Sequence, residues 1–291
     1  MSKEHINTQA IGLDTGLALS RWLTGREHLH FGLWTGLEVC AANVGRAQEA
    51  YSDKLFSLLP AGTSLNILDI GGGAGETAKK LIALGHRVDI VVPSAYLAER
   101  CRVNAPQARV HECTFQDLVS DGGFDLCLFS ESFQYIPPQI ALAKARRLLN
   151  PTGEILIGDC FRAEGFDFAT GGYICGGGHA IGRFRAILAK EPLTILHEID
   201  ITQAVAPSID VEQALFNVLG RGILATEGEL RRKRPLLRGL LSGVLSLVIS
   251  APRRARLAER LFDQARNSAV FAANNRYLFL RLGQSSTPKN G

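Results

Sequence analysis

Leu65-Asn-Ile-Leu-Asp-Ile-Gly-Gly-Gly-Ala-Gly-Glu-Thr77 is the stretch on which the fold turns. Leu65 to Ile70 reads as an apolar strand running straight into the glycines, and a helix fits Glu76 to Leu84, stopped by Gly85. Strand, glycine turn and helix in that order make a ligand cradle. Residues without Cβ let the backbone approach a bound molecule, and the helix start offers N–H groups with no partner. In a parallel sheet such a loop sits at the carboxyl end of its strand, where ligands bind. No Gly-Lys-Ser/Thr follows, so this is not a triphosphate-binding loop. The second strand ends in Val91-Val92-Pro93, with no carboxylate to hold the ribose of a dinucleotide.

Working outward, strand-like and helix-like segments alternate. Arg87 to Val92 is a second strand, followed by a helix from about Ala95 to Asn104. Arg109 to Cys113 is a short third strand and Phe124 to Ser130 a fourth. Pro137 and Pro138 open a helix through Leu149, ended by Asn150-Pro151. Glu154 to Gly158 and Leu193 to Ile201 complete the alternation, and Arg276 to Leu282 is a last strand after a long helical stretch, Ser208 to Ala272. This spacing implies right-handed crossovers, hence an α/β fold of the Rossmann-like type. We expect a mainly parallel seven-stranded sheet with helices on both faces and a helical cap. The expected division is a helical lid segment over residues 1–63, a cofactor-binding core over 64–205, a helical cap insertion over 206–273, and over 274–291 the last strand with a polar tail, frayed after Gly283.

Composition narrows the function classes. The 291 residues, 46% hydrophobic and 21% charged, suit a folded globular chain. A net charge of +4 is too small to suggest nucleic acid as a partner. Six cysteines without a Cys-x-x-Cys pair or a histidine cluster suggest neither a metal site nor a disulfide framework. The amino-terminal MSKEHINTQAIGLD lacks the apolar core of a signal peptide, and Leu236 to Ile249 is too short to span a bilayer, so a cytoplasmic protein is expected. That apolar run lies between basic clusters at Arg231–Arg234 and Arg253–Arg256. The pattern fits an interfacial helix on a membrane surface and equally an ordinary buried helix, and a pocket enclosed by the cap is the preferred expectation.

Four segments carry a family resemblance. Leu68-Asp-Ile-Gly-Gly-Gly-Ala-Gly-Glu-Thr77 resembles motif I of the class I S-adenosylmethionine-dependent methyltransferases. Phe124-Asp-Leu-Cys-Leu-Phe-Ser-Glu-Ser-Phe-Gln-Tyr-Ile-Pro137 resembles that family's fourth strand and loop. Ala145-Arg-Arg-Leu-Leu-Asn-Pro-Thr-Gly-Glu-Ile-Leu-Ile-Gly-Asp159 resembles its R-v-L-k-P-G-G stretch and following strand. His30-Phe-Gly-Leu-Trp34 resembles the H-[YF]-G-x-W segment of the subgroup acting on isoprenoid quinones, tocopherols, sterols and other small molecules.

The resemblance implies an enzyme using S-adenosyl-L-methionine, with Asp69, Gly71, Gly73 and Gly75 along the methionine and ribose part of the cofactor. Val92 stands where relatives often carry an acidic ribose ligand, which makes Ser94 the substitute. Thr114 and Phe115 would flank the adenine, although a core role for Phe115 is equally open. Ser130 would sit near the methyl group, and His30, Phe31 and Trp34 would wall off the sulfonium or simply pack a lid. Candidate acid–base groups are Glu131 in the loop after strand four, Asp159 at the end of strand five, and His179 after the glycine-rich loop 171–179; each has a structural alternative. The expected acceptor is an apolar small molecule in secondary or lipid metabolism, and a homodimer is possible. The rival expectations are a fold that binds the cofactor without methylating, as scaffold or cyclase, and a peripheral-membrane lipid methyltransferase.

Overall fold

A computed structural model of the chain describes residues 8–60, 64–166, 175–262 and 266–285. Helices α1 (Thr8–Thr24) and α2 (Val44–Phe56) precede the sheet. The alternating part runs β1 (Asn66–Ile70), α3 (Glu76–Ala83), β2 (Arg87–Val92), α4 (Ala95–Asn104), β3 (Arg109–Glu112) and β4 (Phe124–Ser130). It continues through α5 (Pro138–Leu148), β5 (Leu149–Arg162), α6 (Ile181–Leu188) and β6 (Leu193–Asp200). Then follow α7 (Thr202–Val205), α8 (Pro207–Lys233), α9 (Pro235–Val248), α10 (Ala251–Phe262), α11 (Ser268–Asn274) and β7 (Asn275–Gln284).

The seven strands form one sheet in the order β3-β2-β1-β4-β5-β7-β6. β1 through β5 pair in parallel, and β7 slots antiparallel between β5 and β6. Both faces are covered, which is why the central strands are apolar along their whole length. Ile67, Ile90, Leu126 and Leu128 pack on one side with α2, α3 and α4. Their sequence neighbours Leu68, Val91, Cys127 and Phe129 pack on the other with α5 and α6. Each such side chain, fully buried, contributes about 1.5–3 kcal/mol of hydrophobic stabilisation. Strand order reverses between β1 and β4, so the loops after these two strands face each other across one crevice.

The Rossmann-like, mainly parallel sheet is the one expected, with differences at the ends of several elements. The fifth strand extends to Leu149–Arg162 rather than Glu154–Gly158, because β7 pairs with it from Glu154↔Gly283 to Arg162↔Asn275. That partner is more than a hundred residues away and leaves no local signal. α5 ends at Leu148, since Leu149 is already extended and paired with Phe124. Gln284, assigned to the frayed tail, belongs to β7, which also takes in Gly283; residues 286–291 of the tail lie outside the described residues, as do 171–174 of the glycine-rich loop.

Candidate active site

The crevice beyond β1 and β4 holds a cavity of about 350 Å³. Its floor is the glycine loop, Asp69 to Ala74. One wall comes from the ends of β2 and β3, with Val91, Val92, Thr114, Phe115 and Gln116; another from Ser130, Glu131, Ser132, Tyr135 and Ile136 after β4; and the amino-terminal segment Glu27 to His30 closes a third side. The loop's path depends on missing side chains. Gly71 has φ +74°, and a Cβ there would lie 2.4 Å from the Cβ of Ser132, whose hydroxyl donates to the Ile70 carbonyl. The β1 and β4 loops therefore meet only because residue 71 is glycine.

Asp69 is fully buried, and neither carboxylate oxygen has a hydrogen-bond donor. Burial alone pushes its pKa up to about 7. An unpartnered carboxylate lining a cavity is a costly arrangement in the free protein, and a cationic ligand group would relieve it.

Glu131 is the second perturbed carboxyl. It is the one non-glycine residue with positive φ (+54°) among the described residues. Its Oε1 accepts the Phe31 N–H at 2.7 Å and lies 2.8 Å from the Tyr277 hydroxyl, itself 2.9 Å from that of Tyr51. Burial nevertheless outweighs these bonds and raises its pKa to about 7. Glu131 thus ties the amino-terminal segment to the β4 loop. His30 stacks on Tyr51 at 4.4 Å, and burial drops its pKa to about 3, so its imidazole is neutral. At the mouth, burial disfavours the Glu27 carboxylate, but bonds from Arg100 and Asn104 outweigh this and hold its pKa low.

The structure brings Asp69, Gly71, Gly73, Thr114, Phe115, Ser130, Glu131 and His30 to the cavity lining and leaves six other expected residues outside it. Gly75 (φ +89°) opens α3 against Cys101. Ser94 caps α4 by accepting the Leu97 N–H and is not among the residues lining the cavity. Phe31 reaches the site only through its backbone N–H, its ring lying against Phe271, and the Trp34 indole donates to Ser208. Asp159 is buried and accepts the N–H groups of Gln134 and Cys160, so it fastens the turn at 133–135; burial raises its pKa to about 8. His179 has its Nε2 3.2 Å from the Phe133 carbonyl and 2.9 Å from that of Ile136, bracing the same turn.

Phe115 serves two ends, lining the cavity while packing edge-on to Phe129. No residue of α8 to α11 lines the cavity, so the expected cap does not enclose it; α8 turns its buried positions Ile209, Gln213 and Gly220 toward α10 and α11 instead. Among the described residues no His, Cys, Asp and Glu are grouped to hold a metal ion.

Residues 68–157 match the model of a family described as "Methyltransferase domain". That match runs from within β1 to within β5 and takes in the glycine loop. Over those residues the chain is similar to methyltransferase domains, in agreement with the resemblance to class I S-adenosylmethionine-dependent methyltransferases carried by its motifs. It is 27% identical over 172 residues to the 27-O-demethylrifamycin SV methyltransferase of Amycolatopsis mediterranei, an alignment spanning 55% of this chain and 60% of that protein. The chain thus matches less than two thirds of that relative's length. Solved structures agree in fold. The cyclopropane synthase MmaA2 of Mycobacterium tuberculosis superposes with a TM-score of 0.68 at 13% identity, covering 97% of this chain and 100% of that one. The geranyl diphosphate C-methyltransferase of Streptomyces coelicolor A3(2) does so with a TM-score of 0.64 at 16% identity, covering 97% and 98%.

S-adenosylmethionine is the cofactor of this family, and the residues present fit it. The cofactor carries an ammonium and a sulfonium, and the cavity offers the orphaned Asp69 carboxylate to a cation. Gly73 leaves room for a ligand over the loop, since a Cβ there would meet only Leu29 at 3.6 Å. Gln116, which sequence reasoning passed over, supplies a polar group on the wall where Val92 supplies none.

Proposed function

We propose that the protein transfers a methyl group from S-adenosylmethionine to an apolar small molecule, with Glu131 as the group that takes the acceptor's proton. The observation that carries this reading is the cavity itself. It joins an unpartnered acid on the glycine loop to a second near-neutral carboxyl on the β4 loop, within largely apolar walls.

S-adenosylmethionine supplies a methyl group made electrophilic by its sulfonium. The remaining work falls to the chain. Ile70, Val91, Leu97, Phe115 and Ile136 keep water from the crevice, and Asp69 attracts the cationic end of the cofactor. Glu131 keeps one oxygen on Phe31 and Tyr277 and leaves the other for a proton from an acceptor hydroxyl. A base titrating at about 7 is half ionised at neutral pH, where general-base catalysis is most effective.

The 27-O-demethylrifamycin SV methyltransferase and the geranyl diphosphate methyltransferase are named for acceptors built on large carbon skeletons, which supports an apolar acceptor here. Purified protein incubated with S-adenosylmethionine and a panel of apolar hydroxylated and prenylated acceptors should form S-adenosylhomocysteine and a methylated product together. Cofactor binding with no turnover on any acceptor would favour a non-methylating role.

A further inference from the structure

We propose that α9 docks the protein on an anionic lipid surface, apolar face down, with the basic clusters on either side of it against the headgroups. This rests on the cap alone and not on methyl transfer. α9 carries Arg238 as its single charged residue among the leucines and valines of Pro235–Val248, and none of its residues is buried. Leu236 is 90% exposed, Leu240 65% and Leu247 89%. Isolated exposed leucines need no explanation, whereas a whole apolar helix left in water marks an interaction surface.

Charge identifies the occupant. Residues 227–256 hold eight Lys and Arg against Glu227 and Glu229, a net of +6, whereas the whole chain carries 32 against 28; the remainder is therefore 24 against 26, or −2. The protein's entire positive balance sits around this one helix. Glu227 and Glu229 pair with cations at 231–233 and with Arg238. Among the described residues no carboxylate pairs with Arg234 or with the arginines at 253, 254 and 256. An anionic bilayer surface meets both demands at once, taking the apolar side chains into its acyl boundary and the arginines at its headgroups. A second copy of the chain would instead bring +6 against +6.

The support beneath is firm. α8 and α10 approach closely at Gly220, where a Cβ would lie 2.4 Å from the Leu261 carbonyl oxygen, and Arg260 stacks on Phe216 at 4.1 Å while pairing with Glu212. The 14 residues of α9 reach only about 21 Å at 1.5 Å each, short of the roughly 30 Å hydrocarbon core. The chain then bends by 113° into α10. This helix lies on a membrane and does not cross it.

Cosedimentation of the full chain with phosphatidylcholine vesicles, with and without phosphatidylglycerol, tests the proposal. Binding is expected to the anionic vesicles at low salt, with at least about tenfold less to phosphatidylcholine alone and release as salt rises. Leu240→Glu with Leu247→Glu, and separately Arg253→Glu with Arg254→Glu, should each cut partitioning by more than about tenfold with the melting temperature and circular dichroism unchanged. Failure of the wild type to bind anionic vesicles would overturn the proposal, as would equal binding to neutral ones or full binding by the leucine variant. A concentration-dependent dimer that the leucine variant dissolves, together with no vesicle binding, would assign the face to a second copy instead.

Discussion

Asp69 is a carboxyl whose surroundings favour its neutral form until a cation arrives. Its pKa of about 7 has burial as its one cause, so an ammonium brought close should restore the charge and expel the proton. S-adenosylhomocysteine binding at pH 6–7 should therefore release a proton, seen as a dependence of calorimetric heat on buffer ionisation, and affinity should rise with pH up to about 7 and then level off. Asp69→Asn should abolish both effects. Stability follows the opposite direction. A folded pKa raised above the ordinary 3.8 means that the contribution of Asp69 is fully present below pH 4 and is lost as pH climbs through about 7. The ligand-free Asp69→Asn protein should accordingly melt above wild type at pH 8 and level with it at pH 4.

Glu131 makes a second prediction at the same scale. Glu131→Gln keeps an oxygen for the Phe31 N–H but loses the capacity to take a proton. Turnover should fall by about 10²–10⁴-fold, while affinity for S-adenosylhomocysteine stays within a few-fold. Wild-type turnover should rise with pH through about 7 as Glu131 ionises. Unchanged turnover in the variant would confine Glu131 to fastening the amino-terminal segment.

Among the elements, the β1–loop–α3 unit was the most legible, because its apolar run, its glycines and its helix stop are contiguous in sequence. Loop placement followed from that order alone, while the expectation for Asp69, Gly71, Gly73 and Gly75 came from the family resemblance, and of these four the first three line the cavity. Ser94, Asp159 and His179 show where local inference stops. All three are polar residues at or near the carboxyl edge, the correct place for chemistry, yet each spends its polar atoms on neighbouring backbone. A sequence shows that such a side chain stands near a site and not which way its oxygen or nitrogen is used. For Gly73, φ is +56° and the space above it leads to Leu29, so Gly73→Val should leave the sheet folded while costing more than about 100-fold in cofactor affinity, through left-handed strain and occupation of the cradle. Native melting with intact binding would show that ligand does not approach this residue.

At the level of the whole molecule, the contacts that finish the site join distant parts of the chain. Tyr277 on β7 meets Glu131 after β4 and Tyr51 on α2, a junction with no signature in any one segment. The same distance effect hid the full length of β5. The helical insertion was legible as helical, but its role was not. An apolar stretch between arginine clusters fits a buried helix as well as an interfacial one, and only the exposure of α9 separates the two.

Isothermal titration of the purified chain with S-adenosylhomocysteine and, in parallel, with NAD tests the central claim most directly. The account predicts saturable one-to-one binding of S-adenosylhomocysteine, lost in Gly73→Val, and no heat with NAD. Tight NAD binding with no response to S-adenosylhomocysteine would contradict it.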